Sequence, residues 1–263
     1  MVQHSLPNMT TLNRNRTYAG RFLLHLEKVE STNSLCLDTD ALIEKAGLVV
    51  MADRQTRGRG SKGRRWDSGR GDHLFSSFVV HPGLEASSIP SMTVFAGLAV
   101  FRALDSIGAP DLSIKWPNDV LLHGKKVSGI LCESRLTPEM KAVVIGIGIN
   151  LNGDASQFSQ PLRQKATTLS EHGIHVRRLE LVDKIARELD HILCKVREKK
   201  ARMAIYRQWE EASSSIGKMV KFRGDSGECR GIITGLDPKG RLLVKNWSDG
   251  RLTSVVSGSV DYC

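Results

Sequence analysis

A glycine-rich and cation-rich segment, residues 58–66 with the sequence GRGSKGRRW, is the feature that most limits the fold of this chain. Its first six residues match G-x-G-x-x-G, a pattern that binds a dinucleotide where a strand precedes it and a helix follows it. A short apolar strand precedes the segment, but the residues after Trp66 have no helical periodicity and include two further glycines. The sequence therefore excludes a Rossmann fold. It predicts a loop that binds phosphate or carboxylate, although a solvated surface loop would have the same composition.

The net charge of +10 raises the question of nucleic-acid binding, but its distribution favours a compact anion. Aromatic residues make up only 5% of the chain, which is too few for a base-stacking surface. A basic nucleic-acid-binding module, with the C-terminal strands as its platform, is the alternative from a different class. Between residues 54 and 70, one acid, Asp67, lies among the cations Arg54, Arg57, Arg59, Lys62, Arg64, Arg65 and Arg70.

Five scattered cysteines without a C-x-x-C spacing argue against a disulfide framework and a zinc site, and they predict a reducing, cytoplasmic environment. His172 and His175 have no metal-ligand partners at a suitable spacing, so no protein-bound metal is predicted. The chain has no apolar run near the roughly 18 residues of a membrane span, and no membrane association is expected. Its first twenty residues lack the apolar core of a secretory signal, although a basic start with Ser and Thr would also suit an organelle transit peptide.

Hydrophobic periodicity predicts both strands and helices, and a change of pattern near residue 214 predicts two domains. Residues 1–20 are expected to form a flexible arm, residues 21–214 a larger domain, and residues 215–263 a small barrel of four or five strands. Strands are predicted at residues 22–29, 48–52 and 74–81, and an antiparallel meander between residues 112 and 150. Helices are predicted from residues 31–33 to about residue 46, from Ser87, Ser88 and Pro90 through Leu104, and over residues 179–209, with a polar loop at residues 152–163.

Two further segments carry polar groups at strand ends. In residues 115–119, KWPND, the proline fixes the backbone ahead of Asn118 and Asp119, and Lys126 follows after a turn. Lys126 could place its charge near a developing anion, or it could be a solvated hairpin lysine, and Asn118 and Asp119 could be ordinary turn residues. In residues 146–150, GIGIN, two glycines in a buried strand indicate a close approach to the backbone, by a ligand or by a neighbouring strand.

In their order and spacing these segments resemble the biotin protein ligases. The resemblance rests on residues 31–33, Gln55, residues 58–66, 115–119 and 124–131, Glu133 and residues 146–150, and it spans most of residues 22–260. It implies an α+β fold, with a class II synthetase-like domain that has a mixed, largely antiparallel sheet, followed by an SH3-like barrel. It also implies the ligase-only type without specific DNA binding, because about twenty residues before the first strand are too few for a helix-turn-helix.

The resemblance further implies a reaction in two steps, activation of biotin by ATP to biotinyl-5'-AMP and transfer to a lysine of a biotin carboxyl carrier protein. The larger domain would hold both substrates, with Lys126 and Arg59 as the catalytic residues and with Mg²⁺ brought by ATP. The biotin site would be formed by Ser31, Thr32, Asn33, Gln55, Gly58, Arg59, Gly60, Ser61, Lys126 and Gly129. The ATP and adenylate site would be formed by Arg64, Arg65, Trp66, Asn118, Asp119 and Asn150.

The chain departs from the family pattern at several positions. Ser61 stands where an arginine is common, Arg57 where a small residue is usual, and Gly69 and His73 where relatives tend to have Pro and Asn. The loss of an arginine at position 61 predicts weaker retention of the adenylate, unless a neighbouring cation compensates. A lipoate or octanoate protein ligase shares the implied fold and is the nearest alternative enzyme, and a homodimer through an exposed sheet edge or face is compatible with the predicted meander.

Overall fold

The computed structural model describes residues 9–67, 72–84, 91–137, 140–224, 227–255 and 260–263. Eight strands in these residues form the main sheet: β1 (Thr10–Thr11), β2 (Phe22–Val29), β3 (Leu48–Gln55), β4 (Leu74–Val80), β5 (Leu112–Lys115), β6 (Asp119–Leu122), β7 (Lys125–Leu136) and β8 (Lys141–Ile149). Their order is β1-β2-β3-β4-β8-β7-β6-β5. The β2–β3 pair is parallel and the other described pairs are antiparallel, so the predicted α+β class and the mixed, largely antiparallel sheet are confirmed.

Each face of this sheet has its own core because alternate residues of a strand point to opposite sides. In β3, Val49 and Met51 belong to the larger core, whereas Leu48 and Val50 belong to the smaller one. The larger core lies under α3 (Ser91–Asp105), α5 (Arg178–Lys195) and α6 (Lys199–Glu211), and the smaller core lies under α1 (Thr32–Asp38) and α2 (Asp40–Ile43). The strands are therefore fixed from both sides.

The helix predicted from residues 31–33 to residue 46 is two helices, because the chain is extended at Thr39 (φ −115°, ψ 108°). A β-branched residue favours this conformation, and the periodicity of the apolar residues continues across the break and hides it. Ser31 begins α1 as predicted, since its Oγ accepts a hydrogen bond from the N–H of Ser34 at 3.4 Å. Gly47 ends the region with a φ of 84°, also as predicted.

Two other predicted elements differ in detail, and one lies outside the described residues. The amphipathic region at residues 179–209 forms two helices, α5 and α6, instead of one. Residues 152–163, predicted as a polar loop, contain a 3-10 turn (Ala155–Gln157) and the short helix α4 (Gln160–Arg163). The predicted helix start at Ser87, Ser88 and Pro90 falls in residues that the structure does not describe.

The prediction of a flexible N-terminal arm is wrong for residues 9–20. Residues of β1 pair with β2, and the buried Arg16 forms an ion pair with Asp183 of α5 at 2.8 Å. Asp190, also in α5, accepts hydrogen bonds from the backbone N–H groups of Thr17 at 3.0 Å and Ala19 at 3.1 Å. The carboxylates of α5 therefore hold the arm, and nothing in the local sequence of the arm encodes these partners.

A second sheet follows in the C-terminal part of the chain. Its strands are antiparallel and have the order β12-β11-β10-β9-β13. Val220, Ile233 and Val244 on its inner side join the larger core, so this sheet packs on the rest of the protein. It is formed by β9 (Met219–Gly224), β10 (Gly227–Leu236), β11 (Leu242–Asn246), β12 (Leu252–Val255) and β13 (Val260–Tyr262). Among the described residues, no helix is both long enough and apolar enough to cross a membrane.

Candidate active site

A cleft opens over β7 and β8, between the start of α1 and the loop that follows β3, and it encloses about 960 Å³ of empty space, including the part open to solvent. Two residues assigned to the site from the sequence do not line it: Gly58 lines an adjoining groove, and Asp119 forms an ion pair with Lys126. The structure brings the other predicted residues together around the cleft: Ser31, Thr32, Asn33, Gln55, Arg59, Gly60, Ser61, Arg64, Arg65, Trp66, Asn118, Lys126, Gly129 and Asn150.

One end of the cleft is polar and rigid, because the residues at the start of α1 are buried and hydrogen-bonded. The N–H and the Oγ1 of Thr32 donate to Gln55 Oε1 at 2.8 and 3.1 Å. Asn33 Nδ2 donates to the carbonyl of Leu131 at 3.1 Å and to Glu133 Oε2 at 3.0 Å. These bonds fix short polar side chains in one orientation, which suits recognition of a small polar ring.

The close approach that the glycines of β8 indicated comes from side chains of the site itself. A Cβ at Gly146 would lie 2.3 Å from Asn33 Oδ1, so a larger residue would displace this amide. A Cβ at Gly148 would lie 2.7 Å from Trp66 Cε2, and one at Gly129 would lie 2.6 Å from Trp66 Cζ3. Gly129 and Gly148 are direct partners across β7 and β8, and together they form a bare floor on which the indole rests.

The cation-rich loop is a compact hairpin. The N–H of Gly60 donates to the carbonyl of Arg64 at 2.7 Å, and the N–H of Trp66 donates to the carbonyl of Gly58 at 3.0 Å. Between them, a 3-10 turn (Ser61–Gly63) contains two positive φ angles, 58° at Lys62 and 70° at Gly63. The hairpin bends the chain back over the cleft and brings its arginines to the rim.

The arginines of this hairpin are anchored to different degrees. Arg59 forms an ion pair with Glu133 at 2.6 Å and also donates to Ser34 Oγ at 3.3 Å. Arg64 donates from Nη2 to Ser61 Oγ at 3.0 Å. Ser61, in turn, lies 3.4 Å from Asn118 Nδ2, so the serine joins the hairpin to the KWPND segment. Glu133 thus fixes the direction of one cation, a role that its sequence position alone did not reveal.

Lys126 combines a charge with a fixed position. Its Nζ lies 2.5 Å from Asp119 Oδ1 and 5.4 Å from the centroid of the Trp66 ring. Its backbone N–H donates to the carbonyl of Lys165 at 2.8 Å, and its carbonyl accepts from the N–H of Thr167 at 3.0 Å. Bonds on both sides of the residue hold the strand that carries it, and the ammonium group faces the cleft.

Several lining residues were missed by sequence reasoning. Phe75 follows the core residue Leu74, and Ile147 is itself part of the larger core, so hydrophobicity alone gave no means of telling cleft from core. Phe158 and Leu162 carried a better signal, since they are large apolar side chains in an otherwise polar segment. Together these side chains make the inner walls of the cleft apolar, whereas its rim is cationic.

His73, one of the departures from the family pattern, is buried behind this wall. Its Nδ1 accepts the N–H of Leu151 at 3.3 Å, and its ring stacks on Phe158 with a centroid distance of 5.8 Å. Burial lowers the pKa of His73 to about 4, against a weaker raising effect of the Asp67 charge. The imidazole is therefore neutral at physiological pH and acts as a packing and hydrogen-bonding group.

This burial predicts an acid-sensitive stability. The pKa of His73 is lowered from 6.5 in the unfolded chain to about 4 in the folded one, so its contribution is complete above pH 6.5 and is lost as the pH falls to 4. The full loss is about 3 kcal/mol in the free energy of unfolding. We expect His73→Asn to flatten this part of the stability curve measured by urea unfolding between pH 7 and pH 4. An equally steep curve in the variant would contradict the assignment.

The described residues contain no group of three or more His, Cys, Asp or Glu side chains that could hold a metal ion. Two carboxylates near the cleft, Asp119 and Glu133, are paired with Lys126 and Arg59. His172 lies 2.9 Å from Thr167 Oγ1 and contacts His123, and neither histidine belongs to a metal-binding group of described residues.

The fold and the site are those of the ligases that attach biotin or lipoate to proteins. Residues 26–150 match the Biotin/lipoate A/B protein ligase family, and residues 215–261 match the Biotin protein ligase C terminal domain. The chain belongs to the biotin protein ligase family.

Individual relatives agree with this assignment. The chain is 32% identical over 229 residues to a biotin–[acetyl-CoA-carboxylase] ligase of Paracoccus denitrificans, a match that covers 84% of this chain and 92% of the relative. It is 31% identical over 233 residues to the bifunctional ligase/repressor BirA of Bacillus subtilis, covering 86% of this chain and 70% of the relative. Among solved structures, the biotin protein ligase from Aquifex aeolicus in complex with biotin and ATP has a TM-score of 0.76 at 31% identity, covering 92% of this chain and 98% of that one.

Proposed function

We propose that this protein activates biotin with ATP and transfers it to a lysine of an acceptor protein. The observation that supports this most directly is that one cleft contains a rigid polar end, an apolar wall and a cationic rim. Biotin has a polar ureido ring, an apolar chain and a carboxylate, so these three parts of the cleft match the three parts of the substrate. The family membership and the relatives' complexes with biotin and ATP agree with this assignment.

The first step brings two anions together, and the cations of the cleft suit this task. A carboxylate oxygen of biotin forms a bond to the α-phosphorus of ATP, and pyrophosphate leaves. Like charges repel until cations are placed beside them, and Lys126 and Arg59 are held at the cleft by their own carboxylate partners. In the second step the acceptor amine attacks the acyl carbon, loses a proton and expels AMP.

We propose that the two substrates occupy different parts of the cleft. The polar end at Ser31, Thr32 and Gln55 would take the biotin ring, whereas Arg64 and Arg65 at the rim would contact the phosphates of ATP. Asp119, assigned to ATP from the sequence, pairs with Lys126, and we propose that it orients this lysine instead of touching the nucleotide.

The acceptor is proposed to be the biotin carboxyl carrier protein of acetyl-CoA carboxylase, because the Paracoccus relative is named as a ligase that acts on acetyl-CoA carboxylase. Homodimer formation and the absence of specific DNA binding stay predictions from the sequence. The distribution of charge supports the second of these, since Arg57, Arg59, Lys62, Arg64 and Arg65 line the cleft or the groove beside it.

The direct test is incubation of the protein with Mg-ATP, an acceptor domain, and either biotin or lipoate, followed by mass spectrometry of the acceptor lysine. We expect labelling with biotin and not with lipoate. Labelling with lipoate alone would show a lipoate ligase, and salt-sensitive binding to nucleic acid without ATP turnover would favour the nucleic-acid-binding alternative.

Ser61 gives a prediction about the intermediate. Its hydroxyl accepts from Arg64 and lies near Asn118, but it supplies no charge to the cleft where relatives commonly have an arginine. We expect Ser61→Arg to slow the release of biotinyl-5'-AMP into solution by about tenfold, the effect of one charge-assisted hydrogen bond. Release would be measured after a single turnover without acceptor. Equal release from both proteins would show that Arg64 or another cation already retains the adenylate.

A further inference from the structure

Arg178, the first residue of α5, lies between two carboxylates that come from different parts of the chain. Its Nη1 contacts Asp53 Oδ1 and its Nη2 contacts Asp72 Oδ1. The side chain of Arg178 is 23% exposed, so its charge is only partly screened by solvent. One planar guanidinium can bond two carboxylates at once, a geometry that the ammonium group of lysine does not reproduce.

The two carboxylates flank the segment that carries the cation-rich hairpin. Asp53 lies in β3 before the hairpin, and Asp72 lies two residues ahead of β4 after it. The two strands are antiparallel, and their last described pair at this end is Ala52 with Phe75. Asp53 and Asp72 are thus the two sides of the base from which the hairpin rises, and their like charges would push this base apart without a cation between them.

Further contacts connect this base to the site. Asn152 donates from its backbone N–H to the carbonyl of Asp72 and from Nδ2 to Asp72 Oδ2, both at 3.3 Å. Asn152 lies two residues after Asn150, which lines the cleft. On the other side, His25 Nε2 lies 2.8 Å from Asp53 Oδ1. The base of the hairpin is therefore one network that reaches from β2 to the segment after β8.

Helix stability does not explain why an arginine occupies this position. Arg178 lies in the first turn of α5, where a cation opposes the helix dipole and costs a few tenths of a kcal/mol or more. A carboxylate or a neutral residue would suit this turn better. The arginine instead contributes the contacts with Asp53 and Asp72.

We propose that Arg178 is a positioning residue for adenylate formation. It joins the two sides of the hairpin base and so keeps Arg59 and Arg64 over the cleft. The inference rests on the proposed function where activity is measured. Arg178 acts through the hairpin and needs no contact with a substrate. Because its effect depends on charge, removing one of the two carboxylates removes much of the need for the arginine.

The test compares Arg178→Gln, the double variant Asp72→Asn/Arg178→Gln, and the control Arg187→Gln. Arg187 lies on the same helix and pairs at the surface with its neighbour Glu188. We expect Arg178→Gln to raise the KM for ATP in pyrophosphate release by about tenfold or more with a smaller change in kcat, since misplaced binding groups weaken binding first. The double variant should recover most of this loss, and Arg187→Gln should behave as the wild type.

A second measurement does not depend on the reaction. Amide hydrogen exchange at Gly60 and Trp66, whose N–H groups close the hairpin, should be faster in Arg178→Gln and should return toward the wild-type rate in the double variant. Unchanged exchange and unchanged KM in Arg178→Gln would overturn the inference. A double variant as impaired as Arg178→Gln would overturn the electrostatic basis of the inference. The same comparison applies if Arg178→Gln alone fails to fold, since the double variant should then recover folding. A wild type without biotin-dependent pyrophosphate release would refute the proposed function, and the exchange data would still decide the role of Arg178.

Discussion

Replacement of Lys126 by glutamine is expected to lower the rate of biotin adenylation by about 10²- to 10³-fold, the range found when one electrostatic donor is removed from an active site. The side chain of Lys126 is 31% exposed, against 45% for Arg59, and its Nζ lies 2.5 Å from Asp119 and beside Gly129. Glutamine preserves the length of the side chain in part but brings no charge to the carboxylate and the phosphate. Biotin-dependent release of pyrophosphate measures the step directly.

The neighbouring residue provides a matched control. Lys125 belongs to the same strand and is exposed, so its side chain points away from the cleft. Lys125→Gln changes the net charge of the protein by the same amount and should leave the rate within about threefold of the wild type, because exposed charges interact weakly. Equal losses in the two variants would mean that the general field of the protein, and not a positioned cation, drives the step. A Lys126→Gln variant as active as the wild type would remove Lys126 from the mechanism.

Most of the fold could be predicted because it is encoded in local periodicity. The strands that form β2, β4 and the meander from β5 to β8 appear in the sequence as short, mainly apolar runs, and the apolar stripe of α5 repeats at helical spacing. The break at Thr39 was missed because two short helices with one shared apolar face have the pattern of a single helix. The packing of residues 9–20 was missed because Arg16 and Asp183 are 167 residues apart.

The candidate site could be assembled from the sequence only in part. Residues that approach a ligand through glycine or through a fixed cation carry a local signal, and Gly129, Gly148 and Lys126 all face the cleft. Partners that orient these groups carry none, since the pairing of Arg59 with Glu133 depends on how the loop after β3 lies against the distant strand β7. The walls formed by Phe158 and Leu162 depend likewise on how a polar segment folds back.

The glycine floor gives the second large effect. A methyl group at Gly148 would lie 2.7 Å from atoms of the Trp66 indole, closer than carbon atoms approach without repulsion, and it would point into the cleft. We expect Gly148→Ala to weaken biotin and ATP binding by about 1–3 kcal/mol, the usual cost of overpacking, which corresponds to about 5- to 150-fold in KM. The fold should survive, because the new methyl group meets the side chain of a loop residue and not the backbone of the sheet.

Two comparisons locate the cause of this effect. Gly97 in α3 is the matched control, since a Cβ there would meet its nearest neighbour at an ordinary 3.6 Å, and Gly97→Ala should leave KM unchanged. The double variant Trp66→Ala/Gly148→Ala separates contact with the indole from contact with the substrates. If the methyl group acts by displacing Trp66, its effect on KM will be smaller in the Trp66→Ala background than in the wild type. If the methyl group blocks a substrate directly, its effect on KM will be equally large in the wild-type and Trp66→Ala backgrounds. The glycine floor will then be part of the binding surface.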